Sequence, residues 1–126
     1  MKNTTISFLL FLSMVIALLL SVRYLNSVCI KLYKETGNIE DYINDGDWKK
    51  SYDASTKFLN IWENSSHKLS MFVDHSRVDV IDSELLKLTQ YVKCHNKDES
   101  LASIHTIKFY LDHLYNLEKI NIQNIL

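Results

Sequence analysis

The chain contains no proline and only two glycines, Gly37 and Gly46, among 126 residues. A sheet protein of this size would need many more turn-forming residues, because short strands must reverse direction repeatedly. Two isolated glycines also exclude a glycine-rich phosphate loop. Cysteine is equally scarce. Cys29 and Cys94 make neither a CxxC pair nor a disulfide framework. They read as two unlinked thiols, and a single bridge stays open only if the domain faces an oxidising compartment. Charge of one sign is missing too: 14 Lys and Arg stand against 15 Asp and Glu. With no basic stripe, nucleic acid is not an expected partner. HExxH and the helical Glu-x-x-His pair of carboxylate metal bundles are both absent.

What the chain does have is a run from Ile6 to Val22 without a charge, followed at once by Arg23. Twelve of its seventeen residues are Leu, Ile, Phe or Val. Each contributes about −0.3 to −0.6 kcal/mol to insertion near a helix centre. Seventeen helical residues reach roughly 25 Å, and Thr4, Thr5, Tyr24 and Leu25 supply the turns needed for a core of about 30 Å. A cleaved signal peptide is the rival reading. Its apolar region is usually shorter and ends in a small-x-small site, whereas Ser21-Val22-Arg23-Tyr24-Leu25 offers none, and Asn26-Ser27-Val28 before Cys29 is a poor lipoprotein box. An uncleaved anchor is therefore expected. A pilin-like reading fails because no acidic residue precedes Glu35. Orientation stays open on charge alone. Arg23, Lys31 and Lys34 favour a cytoplasmic C-terminal side, while a short N-terminal tail before a long apolar run suits a signal-anchor with the domain outside.

The remainder reads as all-α: an N-terminal transmembrane helix followed by a small antiparallel bundle of three to four helices. The divisions are residues 1–25 as anchor, 26–46 as juxtamembrane helix and linker, and 47–126 as the bundle domain. The anchor is expected to continue as helix past the membrane, where Leu25, Val28, Leu32, Ile39, Tyr42 and Ile43 give a broken apolar face and Gly37 and Gly46 bracket a short helical turn or loop. Asp47 is the expected N-cap of the next helix. Its seam runs Trp48, Tyr52, Ser55, Leu59, Trp62, Ser66, Leu69 and Val73, widened by Phe58, Ile61 and Phe72. A third helix begins near Ser76, carries Ile81, Leu85, Leu88 and Val92, and ends near Cys94-His95-Asn96. Asp98 caps a fourth, whose face is Leu101, Ile104, Ile107, Leu111 and Leu114. Phe109, Tyr110, Tyr115 and Leu117 make this last helix apolar nearly all round, and the tail from Ile120 to Leu126 is expected to dock.

Five histidines are the candidate chemistry. His75 and His113 sit in Asp74-His75 and Asp112-His113 pairs that could meet near one end of the bundle as weak metal ligands. The competing reading places His75 at a helix C-terminus, where the dipole favours it, and His113 as a half-buried polar residue with a local partner. Trp48, Trp62, Leu69 and Leu111 are expected as core or interaction residues rather than a ligand cage. Asn3-Thr4-Thr5 and Asn64-Ser65-Ser66 match the glycosylation acceptor pattern, a three-residue signal of low specificity. No nucleophile with a base and an oxyanion site is visible, so the chain is expected not to be an enzyme and to carry no cofactor.

Asp47-Trp48, Trp62, Phe72-Val73-Asp74-His75, Val78-Asp79-Val80-Ile81, Leu111-Asp112-His113-Leu114 and the terminal Asn124-Ile125-Leu126 carry a likeness. The chain resembles an uncharacterised domain-of-unknown-function family of short single-pass membrane proteins from spore-forming Firmicutes. The resemblance implies no catalytic residues. It implies an anchor, a helical domain outside the cell membrane, and association with multi-pass membrane proteins of equally unknown function whose genes often lie nearby. Orientation then tips toward the N-terminus inside. Together these expectations describe a cell-membrane, single-pass, non-enzymatic accessory protein. Its partners would be the lipid bilayer and a multi-pass membrane protein or a second copy of itself. An extracytoplasmic ligand- or metal-sensing domain is the alternative.

Overall fold

In the computed structural model, residues 1–71 and 75–125 are described, with side chains except those of Leu69 and residues 115–125. Among them are four helices and no strand: α1 (Lys2–Asn44), α2 (Trp48–Leu69), α3 (His75–Lys93) and α4 (Lys97–Ile125). Each helix packs on two neighbours in the cyclic order α1, α2, α3, α4. The result is an antiparallel up-down-up-down bundle, the arrangement that short connections between consecutive helices enforce.

Helix α1 has two parts with one backbone. The apolar run is bare, with 0% of its most hydrophobic window buried. From Leu25 onward the same helix buries Leu25, Cys29, Leu32, Thr36, Ile39 and Ile43, a regular 4,3,4,3,4 seam. Gly37 does not interrupt it. The short helical turn or loop expected between Gly37 and Gly46 is corrected to unbroken helix: α1 continues to Asn44, because Thr36, Ile39 and Ile43 on either side of Gly37 are held in the core. The real break lies at Asp45-Gly46. There Asp47 N–H donates to Tyr42 C=O and Gly46 N–H to Ile43 C=O, with Gly46 at φ +74°. This is a Schellman ending, which needs a left-handed residue and so favours glycine.

Asp47 caps α2 by accepting the Lys50 N–H at 3.1 Å. The face that α2 buries is Ser51, Ser55, Phe58, Trp62 and Ser65. This corrects the sequence-derived seam, since Tyr52 is exposed and Leu59 and Ser66 are only half-buried. Small residues won the central position because they let neighbouring helices approach. Their hydroxyls remain satisfied: Ser51 donates to Asp47 C=O at 2.7 Å and Ser55 to Ser51 C=O at 2.6 Å. Leu69 ends the helix, its side chain outside the described ones; Phe72 and Val73 of the expected seam lie outside the described residues.

Helix α3 buries Val78, Ile81, Leu85, Leu88, Thr89 and Val92. It closes in a second Schellman motif, with Asn96 N–H to Tyr91 C=O and His95 N–H to Val92 C=O, and here a non-glycine, His95, takes φ 56°. Asn96, not the expected Asp98, caps α4, accepting the Glu99 N–H at 3.2 Å. Asp98 sits instead inside the first turn with Glu99, where a carboxylate suits the helix dipole. Ser100, Ser103, Ile104, Ile107, Leu111 and Leu114 form the buried face of α4. Tyr115, Leu117 and the tail residues to Ile125 belong to the stretch whose side chains are not described, and Leu126 lies outside the described residues.

Candidate functional site

The two histidines singled out by sequence occupy different settings. His75 is the first residue of α3, exposed at a helix N-terminus. The reading that placed it at a helix C-terminus is thereby corrected, because α2 ends at Leu69 rather than running on to Val73. His113 lies exposed on α4, stacked on Phe109 one turn earlier at 5.4 Å between ring centroids. Asp74, the sequence neighbour of His75, lies outside the described residues. Among the described residues, no group of three or more His, Cys, Asp and Glu side chains converges. Two of the others serve the packing. His105 Nε2 lies 3.4 Å from Glu40 Oε1 and ties α4 to α1. His95 stacks on Trp48. His67 is exposed in the last turn of α2.

Trp62 is wholly buried, at 0% exposure, and its indole N–H donates to the Asp82 carboxylate on α3. Leu111 is buried in the same core. Trp48 is half-buried at the rim, packed against that core from outside.

Sequence reasoning gave no sign of two hollows. One is a cavity of about 290 Å³ between α1 and α4, lined by Cys29, Ile30, Tyr33, Lys34, Leu111 and Asp112. It is mostly apolar, and its volume stands near the lower bound of small-molecule sites, roughly 300 Å³. Lys108 Nζ lies 5.3 Å from the ring centroid of Tyr33, one of the lining residues, a cation–π contact. The second hollow is an open groove of about 380 Å³ at the other end of α2, lined by Leu20, Ser21, Tyr24, Leu25, Lys68 and Met71. It sits where the apolar run gives way to the bundle. Among the described residues, the Asn26 side-chain oxygen and one Arg77 guanidinium nitrogen are buried with no hydrogen-bond partner. No signal in the sequence could have found either hollow, because each is made by residues from two helices whose register only the fold sets.

None of the curated proteins and none of the solved structures matches the chain. The family described as a domain of unknown function (DUF4363) matches residues 19–125, which takes in the whole bundle and only the last residues of the apolar run. On a match of that extent, the chain belongs to the DUF4363 family.

Proposed function

We propose that this protein is a membrane-anchored accessory factor without catalytic activity, which binds a multi-pass integral membrane protein. The observation that carries the reading is the single backbone of α1. It passes without a break from a bare apolar segment long enough to cross a bilayer into the bundle core. An anchor that is also a core helix holds the domain at a fixed place on the membrane. Confinement to two dimensions raises its effective concentration against any membrane neighbour, so weak surface contacts suffice. Ser13 and Ala17, one turn apart on the bare segment, add a small-xxx-small pair of the kind that seats helix contacts in lipid. On this reading the bundle lies outside the cell membrane with the N-terminus inside, an orientation that the short N-terminal tail before a long apolar run favours. Cross-linking in intact cells tests the reading: one dominant adduct with an integral membrane protein is expected. A chain that remains an uncross-linked monomer in native membranes, unaffected by Ser13→Leu with Ala17→Leu, would remove its main support.

The α1–α4 cavity favours a second reading, an extracytoplasmic sensing domain in which a small ligand wedges α1 against α4. Native mass spectrometry that finds a retained small molecule, lost when Leu111→Trp fills the cavity, would move the assignment there. So would about one metal ion per chain that disappears in His113→Gln.

A further inference from the structure

Lys50 Nζ lies 5.9 Å from the Tyr42 ring centroid, and Lys68 Nζ lies 4.8 Å from that of Tyr24. These two cation–π contacts, at opposite ends of α2, fix its antiparallel register on α1. In that register Met71 falls level with Ser21, and both line the same groove. Ser21 belongs to the apolar run, which ends at Val22. The α2 end of the bundle therefore reaches below the level of Arg23. Helix α4 does the same on the other side. His105 against Glu40 and Lys108 against Tyr33 set its register, and its backbone remains helical to Ile125. Continued in that register, its last turns reach past the level of Arg23.

The chemistry at this level is graded. Met71 and Leu20 are exposed at 77% and 61%, a large apolar surface open to whatever surrounds it. One turn further from the apolar run stand the Lys68 ammonium, the Tyr24 ring and the Arg23 side chain, all exposed. Trp62 pairs with Asp82, which sets Arg77 at about the level of Lys68 on the third helix. Apolar side chains below, and Tyr, Lys and Arg above, is the order found across the boundary between acyl chains and headgroups. Because α1 has no break between the two regions, the bundle cannot stand off from the surface on a flexible stalk.

We infer that the membrane-proximal end of the bundle is seated in the headgroup layer of the bilayer, with the Leu20–Met71 groove taking lipid and the exposed Arg23 and Lys68 facing anionic phosphates. The inference rests on the anchor reading above, and its occupant is the bilayer itself, by continuity with the segment that would cross it. Depth-dependent quenching tests it on the full-length chain with Cys94→Ser, which leaves only the buried Cys29. Leu12→Cys, Met71→Cys and Lys49→Cys are each labelled in detergent with an environment-sensitive fluorophore and reconstituted into vesicles of phosphatidylcholine with phosphatidylglycerol. Lipids carrying a nitroxide near the headgroup should quench the Met71 probe several-fold more than the Lys49 probe, which aqueous iodide should quench instead. A deep acyl nitroxide should quench the Leu12 probe. If the Leu12 probe is quenched and the Met71 probe behaves like Lys49, the seating is wrong and the anchor survives. If the Leu12 probe is reached only by iodide, the anchor and the seating both fall. Lys68→Glu, with helicity unchanged, should lower headgroup quenching at Met71 more when phosphatidylglycerol is present than in phosphatidylcholine alone. Equal quenching in both vesicles would overturn the anionic preference.

Discussion

The rings of Trp48 and His95 are stacked, within 4° of parallel, with centroids 5.0 Å apart. They join the first turn of α2 to the turn that ends α3. His95 holds a left-handed backbone at φ 56°, where a side chain other than glycine is strained. The stack offsets that strain.

Separating the two effects gives the first prediction. His95→Ala keeps the strain and loses the stack, and should destabilise the bundle by about 1 kcal/mol. His95→Gly relieves the strain and should lie closer to wild type. Urea unfolding of His95→Ala, Trp48→Ala and the double variant should yield a coupling of about 0.5–1.5 kcal/mol. A coupling of zero would mean that the rings merely adjoin.

Trp62 and Asp82 provide the second. Trp62→Ala should cost about 3–5 kcal/mol, enough to unfold a small domain. Asp82→Leu removes only the acceptor and should cost about 1–3 kcal/mol by leaving a buried indole N–H unpaired. Thermal unfolding followed by circular dichroism distinguishes the two, and an Asp82→Leu variant as stable as wild type would show that the indole finds another acceptor.

Gly37 yields a stabilising variant. It lies inside α1, and a Cβ added there meets nothing within 4 Å. Gly37→Ala should therefore raise stability by about 0.5–1 kcal/mol through helix propensity and a less flexible unfolded chain. Gly46→Ala should do the opposite, since Gly46 sits at φ +74°. If Gly37→Ala lowers the unfolding midpoint, the unbroken α1 is in question.

The two thiols report orientation. Cys94 is exposed at the end of the bundle far from the apolar run, and Cys29 is buried in the α1 seam. A membrane-impermeant maleimide added to intact cells should label Cys94 and leave Cys29 unmodified until the chain is denatured. Protection of Cys94 until the cells are lysed would put the bundle in the cytoplasm.

The anchor itself is tested by Leu12→Arg, which should weaken insertion by about 3 kcal/mol. The wild-type chain should stay in the membrane pellet after alkaline carbonate washing, and the variant should be partly released. Recovery of a soluble form that begins after residue 22 would mean a cleaved signal.

The all-α class and the α3 seam were legible because Ile81, Leu85, Leu88 and Val92 are large, apolar and spaced without ambiguity. The α2 seam was legible only in part: Ser55, Phe58 and Trp62 were read into it and are buried. Reading by hydrophobicity pulls toward Tyr52 and Leu59, whereas the fold also buries Ser51 and Ser65. A serine whose hydroxyl is satisfied by its own helix costs little to bury and carries no hydropathy signal. Gly37 misled in the opposite sense, because core contacts on both sides outweigh a local propensity of about 1 kcal/mol. The cavity beside Cys29 and the groove beside Met71 were invisible for another reason: each depends on inter-helix register, which no local pattern encodes.

An α1 of 43 residues in a single helix is about 65 Å long. A tilt of about 10° at one end, of the size that a change in bilayer thickness readily provokes, swings the other end sideways by roughly 10 Å. On the proposed anchoring, the helix is a lever whose two arms are of similar length, one in lipid and one in the bundle. A thinning or thickening of the membrane would then be read out as lateral travel of the Gly46 end of the bundle, with no ligand and no rearrangement of the core.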